Sequence, residues 1–297
     1  MKFLVLMTLA LTTLNAFSQS AASVAQNTSS TNLGSKTWEL IKSKTKVRYF
    51  SETMGPSITK GGDRQVEWDE KKNYVKGQDP IGTFNQISLN WKLNDNWDYV
   101  VQPRFTYRFG DTEGYDKGQD KGPFQLEDTR TAIQGVYWSS SDQSMTLFLR
   151  AGVRLPTDRN NQIAQVAYQP DIANFFDWTI NKNWAVFFWQ SFRSYVYHSS
   201  SSQERWRLYS APGFTYSFND KWQFVAFYEN EISHNIPKAG SKKWNYAVSN
   251  YEDIYMGPQY VVGPSLTLYP FLRPSQLDRP SLETTAVGLW VMAKAFN

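Results

Sequence analysis

The chain has 297 residues, with 31 Lys and Arg against 27 Asp and Glu, two His and no Cys. A net charge of +4 is too small to mark a nucleic-acid surface, and a chain without cysteine has neither disulfides nor thiolate-held metals. Aromatic residues make up 16% of the chain although its mean hydropathy is only −0.53, a pairing that fits neither an ordinary soluble domain nor a bundle of membrane helices.

Met1-Lys2 is a short basic start, Phe3 to Leu14 is an apolar run, and the small residues Ala16 and Ser18 precede Gln19. This is the layout of a secretory signal peptide over 1–18, with cleavage near Ser18. The run is shorter than the ~20 residues a membrane-spanning helix needs, and no later run reaches that length. No Cys follows it, so lipid attachment at a cysteine is excluded. Residues 19–43 are rich in Ser, Ala, Asn and Thr and read as a flexible periplasmic lead, with Trp38 to Ile41 able to form one helical turn after Ser35. Residues 44–297 read as a single domain.

From there the chain reads as about twelve strands, near 45–54, 83–93, 97–109, 126–138, 145–155, 163–180, 184–198, 205–218, 222–236, 251–262, 264–273 and 282–296, by alternation and turn chemistry. Three connections share one pattern: an apolar residue, three polar turn formers, then Trp. They are Leu93 to Trp97, Ile180 to Trp184 and Phe218 to Trp222. Asn and Asp tolerate the left-handed backbone of tight hairpins, and Trp97, Trp184 and Trp222 are the residues a membrane interface favours. Ser139 to Ser144 and Val262-Gly263-Pro264 make two further short turns. Longer Gly-, Asp-, Lys-, Ser- and Pro-rich connections alternate with the short ones, near 55–82, 110–125, 155–161, 199–204, 237–250 and 274–281.

Short turns at one end, long loops at the other, an even strand count and abundant aromatics define an all-β reading: a transmembrane antiparallel up-and-down β-barrel, with short periplasmic turns and longer external loops. Gly288 to Phe296 resembles the terminal strand of bacterial outer-membrane barrels, which finishes on an aromatic residue; here Asn297 follows Phe296. The resemblance implies a Gram-negative outer-membrane location, outer-membrane lipid as surroundings, and insertion by the barrel-assembly machinery.

Alternation assigns the faces. In 97–109, Tyr99, Val101, Pro103, Phe105, Tyr107 and Phe109 oppose Gln102, Arg104, Thr106 and Arg108. In 145–155, Met145, Leu147, Leu149, Ala151, Val153 and Leu155 oppose Thr146, Phe148, Arg150, Gly152 and Arg154. A charge on the lipid face near the midplane costs about 2–4 kcal/mol, so the arginine faces belong to the lumen. The strand 184–198 alternates too poorly to assign. A basic lumen wall is expected from Lys92, Arg104, Arg108, Arg130, Arg150 and Arg154, extended by Arg205 and Arg207. Asp128, Glu229, Glu231 and Asp253 form the acidic set expected to face it.

Two functions fit such an interior. Arginine walls select anions in pores, and the barrel resembles the small 12-stranded outer-membrane channels that pass acidic sugars or nucleosides; this implies a narrow passive channel for small anionic or polar solutes. Alternatively the charges cross-pair and fill a closed structural or adhesive barrel. A third arrangement, Tyr197-His198-Ser199-Ser200 followed by Glu204 to Tyr209, resembles the catalytic hairpin of outer-membrane phospholipase A, with His198 as base and Ser200 as nucleophile. That family has Asn after the Trp, where this chain has Arg207. A soluble sugar-binding sandwich would not carry outward faces as apolar as Val101 to Phe109. No cofactor motif, metal pattern or nucleic-acid module is present.

Overall fold

The computed structural model describes residues 45–57, 67–69, 74–76, 82–108, 124–199, 204–235, 245–274 and 285–295. The expected signal peptide and periplasmic lead lie outside the described residues. The strands are β1 (Thr45–Ser57), β2 (Glu67–Asp69), β3 (Tyr74–Lys76), β4 (Gly82–Lys92), β5 (Trp97–Arg108), β6 (Phe124–Ser139), β7 (Met145–Leu155) and β8 (Val166–Thr179). They continue as β9 (Trp184–Ser194), β10 (Val196–Tyr197), β11 (Glu204–Ser217), β12 (Trp222–Asn235), β13 (Asn245–Gly263), β14 (Leu266–Pro274) and β15 (Thr285–Ala295).

Every neighbour in the main sheet whose register is given is antiparallel, and the sheet closes on itself because β1 lies between β4 and β15 while β8 pairs with β9. The short β10 continues the line of β9 past Tyr195 and also pairs with β8, so the closed wall has twelve strand positions. The expected strand count and order therefore hold. The boundaries differ in two places. β13 begins at Asn245, inside the stretch expected to be loop, and a short helix, Arg159–Ile163, runs from the expected loop 155–161 to the first residue of the expected strand, so that β8 begins only at Val166. The β2–β3 hairpin stands apart from the main sheet, within the first long connection.

The short turns show how the sequence sets the hairpins. In each Trp-bearing turn one Asn carbonyl oxygen accepts two backbone N–H groups: Asn94 from Asn96 and Trp97, both at 3.0 Å. Asn181 accepts from Asn183 and Trp184 at 2.9 and 3.0 Å, and Asn219 from Lys221 and Trp222, both at 2.9 Å. In the fourth turn Asp142 takes this part, accepting from Ser144 and from the Ser140 hydroxyl, which holds its carboxyl below the usual carboxylate range. Replacing Asn181 or Asn219 by Ala should cost about 1 kcal/mol each, the worth of a turn hydrogen bond. Asp at either position keeps the acceptor and should be close to neutral; urea unfolding in detergent measures both.

All four turns open at the end where Val47 pairs with Ala295, the end that faces the periplasm in outer-membrane barrels. Aromatics ring that end on the outside: Trp184 meets Tyr216 at 4.8 Å, Trp222 meets Tyr260 at 4.5 Å, and Trp91 stacks on Tyr99 at 5.8 Å.

Polarity is inverted relative to a water-soluble protein. Outward-facing Ile133, Leu155, Ile172, Phe188, Phe192, Leu272 and Val287 are exposed, while Asn90, Gln134, Arg154, Gln169 and Asp171 are buried inside the wall. That is the pattern of a barrel whose solvent is lipid outside and water or its own polar groups inside. Among the described residues no helix is long and apolar enough to cross a membrane.

The interior itself has two halves. From β12 to β15 it is aromatic: Phe227 stacks on Tyr255 at 4.8 Å, Tyr255 meets Phe271 at 5.0 Å, and Trp290 lies against all three and Tyr269. Phe187 joins this cluster to β9 across Gly213, where a Cβ would stand 2.4 Å from the Phe187 ring. The other half, from β5 to β11, is cationic.

Candidate functional site: an arginine wall around Asp171

Arg104, Arg130, Arg150 and Arg154 reach the lumen as alternation requires. The register sets Arg130 opposite Arg154 and Gln134 opposite Arg150, so like charges become direct neighbours. Asp171 on β8 relieves them. It sits opposite Gly152, between the two β7 arginines. Arg154 donates twice to one of its oxygens, at 2.9 and 2.7 Å, and Arg130 donates to the same oxygen at 3.3 Å. Arg150 is an ion-pair neighbour at 3.7 Å. One carboxylate therefore serves three guanidinium groups.

They are not fully satisfied. The Nε of Arg130, and Nε and Nη2 of Arg150, are buried and make no hydrogen bond. Arg130 gives a further N–H to Gln102 at 3.2 Å, and Gln102 in turn holds the Ser88 hydroxyl at 2.9 Å. Arg104 donates to the backbone carbonyl of Asp128 at 2.9 Å and lies over the Phe84 ring at 5.8 Å.

The wall continues through Arg193 and Arg207, which register opposite each other and flank Tyr195 at 5.4 and 5.9 Å from its ring. Glu231 takes Arg207 at 3.0 Å and Arg193 at 3.9 Å, and Glu204 takes Arg207 through both oxygens. Five arginines, Arg130, Arg150, Arg154, Arg193 and Arg207, thus share three carboxylates, Asp171, Glu204 and Glu231.

The other acids of the expected set are engaged elsewhere. Asp253 binds Arg273 at 2.6 Å, and Glu229 accepts from the Tyr209 hydroxyl, both within the aromatic half. The Asp128 carboxylate is held by amides rather than guanidinium: Gln169 at 2.5 Å, Asn161 at 2.6 Å and the Asp158 N–H at 3.2 Å. Asp158 also caps the helix Arg159–Ile163, so Asp128 ties that helix to the inside of the wall. Thr157 adds a bond to the Glu127 carbonyl at 2.5 Å.

Two residues expected in the basic wall stand apart from it. Lys92 is at the short-turn end and pairs with Asp95 at 2.7 Å, because its strand stops there. Arg205 is exposed at the opposite rim, two residues from the loop. Arg108 ends β5, and its side chain lies outside the described residues. The sequence reading also missed Asp171 and Arg193, although a charge in mid-strand is the signal that found the others.

Of the phospholipase-like hairpin, His198 is exposed and Ser200 lies outside the described residues. Arg207, in the position of the family's Asn, is turned to Glu204 and Glu231. His234 stacks on Trp206 at 5.5 Å with the rings 7° from parallel. Among the described residues no group of three or more His, Asp or Glu could hold a metal ion.

Fold and register together define a twelve-stranded transmembrane β-barrel of the outer-membrane kind. Among solved structures the chain is similar to an outer membrane channel from Pseudomonas putida F1, at 11% identity and a TM-score of 0.52, over 85% of this chain and 95% of that one. It also aligns with the NanC porin at 9% identity and a TM-score of 0.44, over 85% of this chain and 99% of that one. No protein-family model and no curated protein matches the sequence. At these identities the likeness is one of fold.

Proposed function

We propose that the protein is a narrow passive channel of a Gram-negative outer membrane that favours small anions, with the arginine wall as its selective stretch. The observation that carries this reading is the charge imbalance: five arginines share three carboxylates, with Arg104 beside them on the same wall. A wall with surplus guanidinium charge favours a passing carboxylate or phosphate group, which accepts well from arginine. In this reading the barrel-assembly machinery inserts the chain after its signal peptide is cleaved near Ser18.

A second reading has one observation behind it. Asp171 neutralises three arginines at once, and inward-facing Val100, Ala132, Ala173 and Ala211 are almost fully covered. A barrel packed in this way would be closed and structural.

Conductance in a planar bilayer separates the two. The channel reading expects a small conductance whose reversal potential in a salt gradient indicates anion preference. Arg104→Glu with Arg150→Glu should weaken or invert that preference. A silent wild type supports the closed barrel, and cation preference overturns the arginine wall as a filter.

A further inference from the structure

The lipid-facing surface carries one polar row that the fold does not explain. Asn174 on β8 registers opposite Gln190 on β9, Gln190 opposite Ser210 on β11, and Ser210 opposite Asn230 on β12. All four belong to outward faces. Their neighbours two residues away along each strand are Ile172 and Phe176, Phe188 and Phe192, Leu208 and Pro212, and Tyr228 and Ile232. Each strand therefore interrupts its apolar face at this level, and the four interruptions line up side by side.

The row is not at the edge of the membrane band. Gln190 is six residues beyond Trp184, and Ser210 is seven before Ser217. With the usual rise and tilt of barrel strands this is roughly 15 Å from the turn end, within an apolar band about 25 Å tall. Lipid tails offer nothing for an amide or hydroxyl to bond, so such groups are normally paired within the protein.

One outward-facing amide elsewhere on the barrel is paired. Asn85, also outward-facing, accepts from the Tyr49 hydroxyl at 2.6 Å and donates to the Thr83 hydroxyl at 2.9 Å. In the row, only Asn230 has a side-chain bond, to Tyr228 at 3.3 Å. Asn174, Gln190 and Ser210 have none among the described residues, and Asn174 is exposed.

We propose that the row Asn174–Gln190–Ser210–Asn230 is a homodimer interface, closed in the membrane by a second copy of this chain. The chemistry favours a copy of itself over other occupants. Asn and Gln amides each carry a donor and an acceptor, so the row is complementary to its own twofold image. No charged side chain belongs to it, so a lipid phosphate would find no cation and a charged partner no counter-charge. Gln190 and Ser210, in the middle of the row, lie nearest the twofold axis and so approach their own counterparts.

The native chain has no Cys, so single-cysteine variants read out cleanly. In intact outer membranes a short bis-maleimide should link Gln190→Cys, and separately Ser210→Cys, into a covalent dimer. Leu289→Cys, on the outward face of β15, should stay monomeric. By light scattering in mild detergent the wild type should have twice the chain mass. Asn174→Leu, Gln190→Leu and Ser210→Leu together should give a monomer that keeps the heat-modifiable mobility of a folded barrel. A monomeric wild type with no cross-link at either position overturns the proposal. So does a wild type that is monomeric with lipopolysaccharide bound, if the triple variant releases that lipid. The readout is independent of conductance, so it stands or falls apart from the channel reading.

Discussion

Asp171→Asn should be among the most destabilising single substitutions in the barrel. Removing one partner of a buried charge pair costs about 3–5 kcal/mol because the other charge is left stranded, and here three arginines share the partner. The charge also offsets the repulsion between residues that the register forces together, Arg130 against Arg154. Urea unfolding of detergent-solubilised protein should show the loss at neutral pH, and chloride or sulfate should restore part of it by standing in for the carboxylate. The surface pair Lys92–Asp95 is the control: at 44% and 94% side-chain exposure it is screened by solvent, and Asp95→Asn should leave the urea midpoint unchanged. Under the channel reading the Asp171 variant should also prefer anions more strongly than the wild type. Equal urea midpoints for Asp171→Asn and wild type would remove Asp171 from the centre of the wall.

The second large effect belongs to the aromatic half. The tip of the Phe271 ring lies over Gly288, where a Cβ would stand 2.1 Å from it, and Tyr255 and Trp290 also contact the ring. Phe271 is only 2% exposed. Phe271→Ala should therefore cost about 3–5 kcal/mol. Gly288→Val must drive the ring out of its seat and should cost about 1–3 kcal/mol. The two are coupled: once Phe271 is Ala, the space above Gly288 is empty, and Gly288→Val should cost far less. A double-mutant cycle by urea unfolding reads this directly, and additive losses would show that ring and glycine do not act as a pair.

Much of the architecture was legible because lipid and lumen enforce a strict division. Arg104, Arg150 and Arg154 could be placed inside from alternation alone, since no other face tolerates them at mid-membrane. The Asn–Trp turns were legible because one side chain, Asn94, Asn181 or Asn219, closes each hairpin locally. β9 was not legible. Its inward residues are Phe187, Trp189, Ser191 and Arg193, and its outward ones Val186, Phe188, Gln190 and Phe192, so bulky apolar groups stand on both sides. The cause is the aromatic cluster inside the barrel, which makes the lumen of that half resemble the lipid face in composition. Asp171 was hidden differently. Which acid meets which arginine depends on register between strands, and only the pairing of Gly152 with Asp171 puts this one between Arg150 and Arg154.

The closure of the wall bears on the order of events during biogenesis. The first barrel strand finds one of its two partners only in the last, through registered pairs from Val47 with Ala295 to Ser57 with Ala286. Until β15 pairs with β1, the sheet has two raw margins whose backbone groups can recruit any passing strand. The contact that seals it joins the most distant parts of the barrel sequence, the kind of contact that forms late and slowly. A chain lacking β15 would keep both margins for good. That dependence makes β15 a checkpoint for closure: only a chain that carries both β1 and β15 can erase its own edges.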